Sequence, residues 1–102
     1  MGTWQPISEL ELEALVASQL RDCTPAQQAG FANYRVSFYP VPFQRTVASE
    51  QVFVVAELPS GLLYYDDVED GFEVGTLDDR GTVRDHGCNQ LELMHVLLRA
   101  GL

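Results

Sequence analysis

The chain has 102 residues, 46% of them apolar, which is enough for one domain with its own core and no disulfide or metal staple. Fifteen acids stand against six bases, all of them arginine, for a net charge of −9. That balance argues against nucleic acid and anionic membranes as partners, both of which demand a basic patch, and in favour of a cationic protein.

The first predicted element is a helix over about 8–21. Ser8-x-x-Glu11 places a capping hydroxyl three residues before a carboxylate, so two orphan N–H groups can be satisfied reciprocally. Ile7 and Leu12 occupy the staple positions, and Leu12, Leu15, Val16 and Leu20 form one stripe. Thr24-x-x-Gln27, with Pro25 at the first helical position, predicts a second helix from 25 to about 33. Its Ala26, Ala29, Gly30 and Ala32 offer little to bury.

The period then drops to two. Tyr34 to Tyr39 alternates before Pro40 and Pro42, residues that belong on an edge or in a loop. The apolar run Val52–Leu58 reads as the central strand, and Pro59-Ser60-Gly61 turns it into Leu62–Tyr65 as a hairpin. Phe72–Gly75 and Thr82–Arg84 are two further short strands joined through Asp78, Asp79, Arg80 and Gly81. Asn89-x-x-Glu92 predicts a third helix over 90–99. There Leu91, Leu93, Met94, Val96, Leu97 and Leu98 nearly encircle the axis, as in a sandwiched helix or a homodimer contact. The expected fold is one α+β domain over 1–102. Two N-terminal helices and one C-terminal helix pack on an antiparallel meander of about five strands.

Chemistry-bearing residues are few. Asp85, His86 and Cys88 lie close together and would serve a small metal- or thiol-dependent enzyme, but zinc needs more ligands than this and nearby carboxylates disfavour a thiolate. Cys88 and Cys23 both stand just before predicted helices, where an apolar side chain packs. His95 shares a stripe with Leu91, Met94 and Leu98, as a core histidine would. The loop from Asp66 begins like a calcium loop but has Val68 and Leu77 where ligands belong. No cofactor or metal is therefore expected, and no catalytic residue is assigned. Without a signal peptide or an apolar span the chain reads as cytoplasmic.

The sharpest feature is Tyr64 to Gly75. Asp66, Asp67, Glu69, Asp70 and Glu73 crowd among Tyr64, Tyr65 and Phe72 with no compensating base. Like charges that close repel, so the cluster is either a solvated turn or a surface for a basic partner, with the aromatics as anchors and the acids as steering charges. The same stretch, with Asp67-Val68-Glu69-Asp70-Gly71-Phe72 and the downstream Asn89-Gln90-x-x-Leu93, resembles a group of small uncharacterised bacterial proteins carrying a D-[IV]-E-x-G-F core and N-Q-x-x-L. The resemblance covers roughly the C-terminal third, implies a toxin-immunity role, and brings no functional residues with it.

Overall fold

The computed structural model describes residues 7–44, 49–66, 70–84 and 91–102. Helix α1 spans Glu9–Leu20 and α2 spans Pro25–Tyr34, each opened by the predicted capping box. In α1 the Ser8 Oγ accepts from the Glu11 N–H at 3.1 Å, and the Glu11 carboxylate accepts from the Ser8 N–H at 3.0 Å. The Ser8 N–H, and after it the Ser8 hydroxyl, hold the Glu11 carboxyl below its ordinary pKa. Helix α2 repeats the arrangement with Thr24 and Gln27. It buries more than its alanines suggest, because Phe31 is 1% exposed and Gln27 is also internal.

Four strands, β1 (Arg35–Gln44), β2 (Ser49–Leu58), β3 (Gly61–Asp66) and β4 (Gly71–Gly75), form an antiparallel meander with β2 in the middle of the sheet. The expectation of about five antiparallel strands is corrected. After β4 comes β5 (Val83–Arg84), two residues that pair parallel with Phe43 and Gln44 of β1. The chain crosses from the β4 edge of the sheet to the β1 edge before β5, so it arrives running the same way as β1. A further bridge, Leu77 to Val83, and an Asp78 side chain that accepts from the Arg80 and Thr82 N–H groups shape this connection.

The strand β1 runs straight through Pro40 and Pro42, which pair with Phe53 and Gln51. The two prolines alternate, so their missing donors fall on one edge, and that edge carries no partner strand until Phe43. A register shift between Val54 and Ala56 turns β2 so that Val55 and Ala56 both join the helix-side core. That core gathers Leu12, Val16, Phe31, Phe38, Leu63 and Phe72 with α3, while Val41, Phe43, Val52, Val54, Tyr64 and Val83 form a second cluster on the opposite face. Each fully buried aliphatic side chain here contributes about 1.5–3 kcal/mol. Arg35 ties the layers together at the surface: its guanidinium lies 5.5 Å from the Phe31 ring centre, 5.6 Å from that of Phe38, and 2.9 Å from the Glu13 carboxylate.

Helix α3 is shorter than expected, Leu93–Arg99, and it has no capping box of its own. Glu92 occupies the N-cap position without a side-chain bond, and Asn89 lies outside the described residues. The other two helices hold its N-terminal turn instead, α1 by a cap and α2 by a side-chain tie. The Gln19 Oε1 of α1 accepts the Leu93 N–H at 2.7 Å, and the Gln27 Nε2 of α2 donates to the Met94 carbonyl at 3.3 Å. At the other end Gly101, at φ 88, closes a Schellman motif: the Leu102 N–H reaches the Leu97 carbonyl at 2.9 Å and the Gly101 N–H that of Leu98 at 3.1 Å. Leu102 then packs against Gly30 of α2. Leu93, Val96 and Leu97 are buried, whereas Leu98 is 65% exposed, so the helix is covered on one side and open on the other.

Candidate functional site

The β3–β4 hairpin carries the acidic cluster. Its register sets Tyr64 opposite Glu73, Tyr65 opposite Phe72 and Asp66 opposite Gly71. Strand alternation then sends Tyr65 and Phe72 into the helix-side core, their ring centres 4.9 Å apart and tilted by 59°. Tyr64 goes the other way and meets Phe43 at 5.6 Å. All three rings are internal: Tyr64 is 2% exposed, Tyr65 5% and Phe72 0%. The rings expected to anchor a partner therefore present little accessible surface in this structure. They are instead the stem that holds the hairpin to the domain.

The carboxylates divide as well. Asp66 is buried, so it belongs to the stem, and Glu73 is partly buried, its Oε1 accepting the neighbouring Val74 N–H at 3.1 Å. Asp70 is exposed at the tip, at φ 60, a conformation that aspartate tolerates better than most residues. Its Oδ1 accepts the Tyr65 hydroxyl at 2.7 Å, which ties the tip back to the stem. Asp67 and Glu69 lie outside the described residues. A second tie runs from the Phe72 N–H to the Leu91 carbonyl at 2.9 Å, joining the outer edge of β4 to the segment that leads into α3.

The alternative chemistry is distributed differently. Asp85, His86 and Cys88 lie outside the described residues. Cys23 is buried, its thiol donates to the Gln19 carbonyl at 3.5 Å, and burial, helped by the Asp22 charge, pushes its pKa up. A thiol so placed is a packing group and a poor nucleophile. His95 is exposed, which corrects the expectation of a core histidine: the helix turns Leu93, Val96 and Leu97 inward and leaves position 95 outward. Among the described residues no group of three His, Cys, Asp or Glu side chains is arranged to hold a metal ion, and no described helix is long and apolar enough to cross a membrane.

Beside the hairpin, where α3 lies along the β4 edge, a cleft of about 210 Å³ is lined by Ser60, Glu73, Val74, Val96, Arg99 and Ala100. Nothing in the sequence signals it, since its walls come from the β2–β3 turn, an edge strand and the last turn of the last helix. No protein-family model matches the chain, and no curated protein or solved structure matches it either.

Proposed function

We propose that this is a non-enzymatic domain that binds a basic protein, in the manner of an immunity-type antagonist of a cationic toxin. The observation that carries the reading is a net charge of −9 combined with an exposed Asp70 whose carboxylate is tied to the core by the Tyr65 hydroxyl. A carboxylate held in place as Asp70 is loses little freedom when a partner arrives. Opposite charge then speeds capture, with on-rates that reach about 10⁸–10⁹ M⁻¹s⁻¹ at low salt. The contact residues are the carboxylates Asp67, Glu69 and Asp70, with Glu73 at the side. The buried Tyr64, Tyr65, Asp66 and Phe72 position them.

The test is capture of basic proteins from a nuclease-treated lysate of the source organism, washed at rising salt, with on-rates then measured for the recovered partner. The triple variant Asp67→Asn, Glu69→Gln, Asp70→Asn keeps the acceptor for Tyr65 and removes three charges. Association should slow by roughly tenfold or more at low salt and become less salt-dependent. Association that is unchanged in the triple variant removes the hairpin from the interface. A second reading is self-association through α3, favoured by Leu98 at 65% exposure. It would show as a mass that rises with protein concentration.

A further inference from the structure

The second apolar cluster contains no helical residue, yet Val54 and Val83 within it are 0% exposed. The sheet itself encloses them. Val83 of β5 pairs with Phe43 of β1 on one side and, on the other, with Leu77, which follows closely on the end of β4. Gly75 is level with Glu57 across β3, whereas Phe43 pairs with Glu50. In a flat sheet Gly75 and Phe43 would lie about 27 Å apart, but the route through Leu77 and Val83 reaches only about 17 Å. The sheet therefore coils until its edges meet. It bends where neighbouring register shifts fall, between Arg35 and Tyr39 in β1 and between Val54 and Ala56 in β2. The concave side is a closed barrel filled by the second cluster.

The segment that closes it, 76–84, has few ties to the barrel and many to itself. Among the described residues it is joined to β1 by the pairs Phe43–Val83 and Gln44–Arg84, and of residues 76–83 only Val83 is buried. The Asp78 N–H donates to the Thr82 carbonyl, so by alternation the N–H and carbonyl of Val83 face β1. Pairing cannot extend back along β1, because Pro42 has no N–H to give. Within the segment the Asp78 carbonyl accepts the Gly81 N–H, and the Asp78 Oδ1 accepts those of Arg80 and Thr82. Both of its roots are on β4: Gly75 is paired with Leu62, and past the segment Leu91 accepts the Phe72 N–H. Lifting it breaks neither root.

We propose that residues 76–84 form a strap that opens as a unit while the rest of the domain stays folded. Opening withdraws Val83 from the barrel and bares the β1 edge at Phe43 together with the interior around Val41 and Tyr64. The device does not depend on the hairpin reading and stands or falls without it.

The experiment is amide hydrogen exchange of the intact chain, followed by NMR at rising sub-denaturing urea. The Gln44 and Val83 amides report the seam, and those of Val54 and Tyr65 report the central strands. The seam amides should exchange at least about a hundredfold faster than the central pair and hardly respond to urea, since a strap exposes little surface. Val16→Ala loosens the helix-side core, which stays packed in the open state. It should quicken the central amides by about tenfold or more and leave the seam unchanged. Val83→Ala should quicken the Gln44 amide and the central pair by a similar factor, because Val83 is exposed in the open and the unfolded states alike. Seam amides that exchange in step with the central strands, or that quicken in Val16→Ala, overturn the proposal, since opening would then require global unfolding. A Gln44 amide indifferent to Val83→Ala also overturns it, because the seam would then fray without withdrawing Val83.

Discussion

Replacing Gly61 by alanine should be among the most damaging single-methyl changes available to this chain. Gly61 sits at φ 148 where the β2–β3 turn enters β3, and a Cβ built there would meet the Gly75 carbonyl oxygen at 2.7 Å and Val74 Cγ1 at 3.1 Å. The carbonyl belongs to the backbone of β4, so it cannot swing aside as a side-chain tip would. The disfavoured backbone region costs about 1–3 kcal/mol. Relieving the contact by shifting strands costs about another 1–3 kcal/mol. Lower entropy of the unfolded alanine chain returns about 0.4–1 kcal/mol. The net loss is about 1–5.5 kcal/mol against a total stability of about 5–15 kcal/mol for a domain of this kind. With a urea dependence of about 1.5 kcal/mol per molar, a 3 kcal/mol loss lowers the unfolding midpoint by about 2 M. The matched control is Gly81→Ala. Gly81 also has positive φ, at 73, but nothing lies within 4 Å of its would-be Cβ, so only a backbone cost of about 1 kcal/mol remains. Urea unfolding of both variants, monitored by circular dichroism, separates the two contributions. A Gly61→Ala midpoint no lower than that of Gly81→Ala would refute the packing argument.

The trans-capping of α3 predicts that Gln19→Ala costs about 1 kcal/mol, comparable to losing an ordinary N-cap. Hydrogen exchange should show the loss first at the Leu93 amide, whose bonding partner is removed. Tyr39 has its pKa pushed up to about 12, first by burial, then by its hydroxyl bond to Glu57 at 2.7 Å, then by the Glu57 charge. Because the folded value is the higher one, the stabilisation is complete below about pH 10 and is lost as pH rises toward about 12. Ultraviolet titration should show a late tyrosine step that moves toward the ordinary range in Glu57→Gln. A tyrosine step that ignores Glu57→Gln would place the late ionisation elsewhere.

The features that could be read in the sequence are those that depend on near neighbours. The starts at Ser8 and Thr24 are legible because a capping box is complete within four residues. The central position of β2 is legible because Val52–Ala56 is apolar on both faces, as a strand covered on both sides must be. The start of α3 is not legible, because its cap, Gln19, lies 74 residues away in sequence. The direction of β5 is hidden for a similar reason: two residues carry no record of which sheet edge they reach. At the candidate site the charge of the hairpin was plain. Alternation also implied that Tyr64 and Tyr65 point to opposite faces. No local pattern revealed that the face turned away from the helices has its own apolar cluster, which encloses Tyr64 as fully as the main core encloses Tyr65.

The amide ties from Gln19 and Gln27 to α3 have a consequence for how the molecule answers to ionic strength. They register the C-terminal helix on the N-terminal pair without any charge, so added electrolyte has nothing in them to weaken. Mutual repulsion among fifteen acids is meanwhile damped by the same electrolyte. The framework therefore holds under the conditions that would weaken attraction to a basic partner of the kind proposed. For such a partner, dissociation at high salt would report loss of attraction, with the described fold still standing.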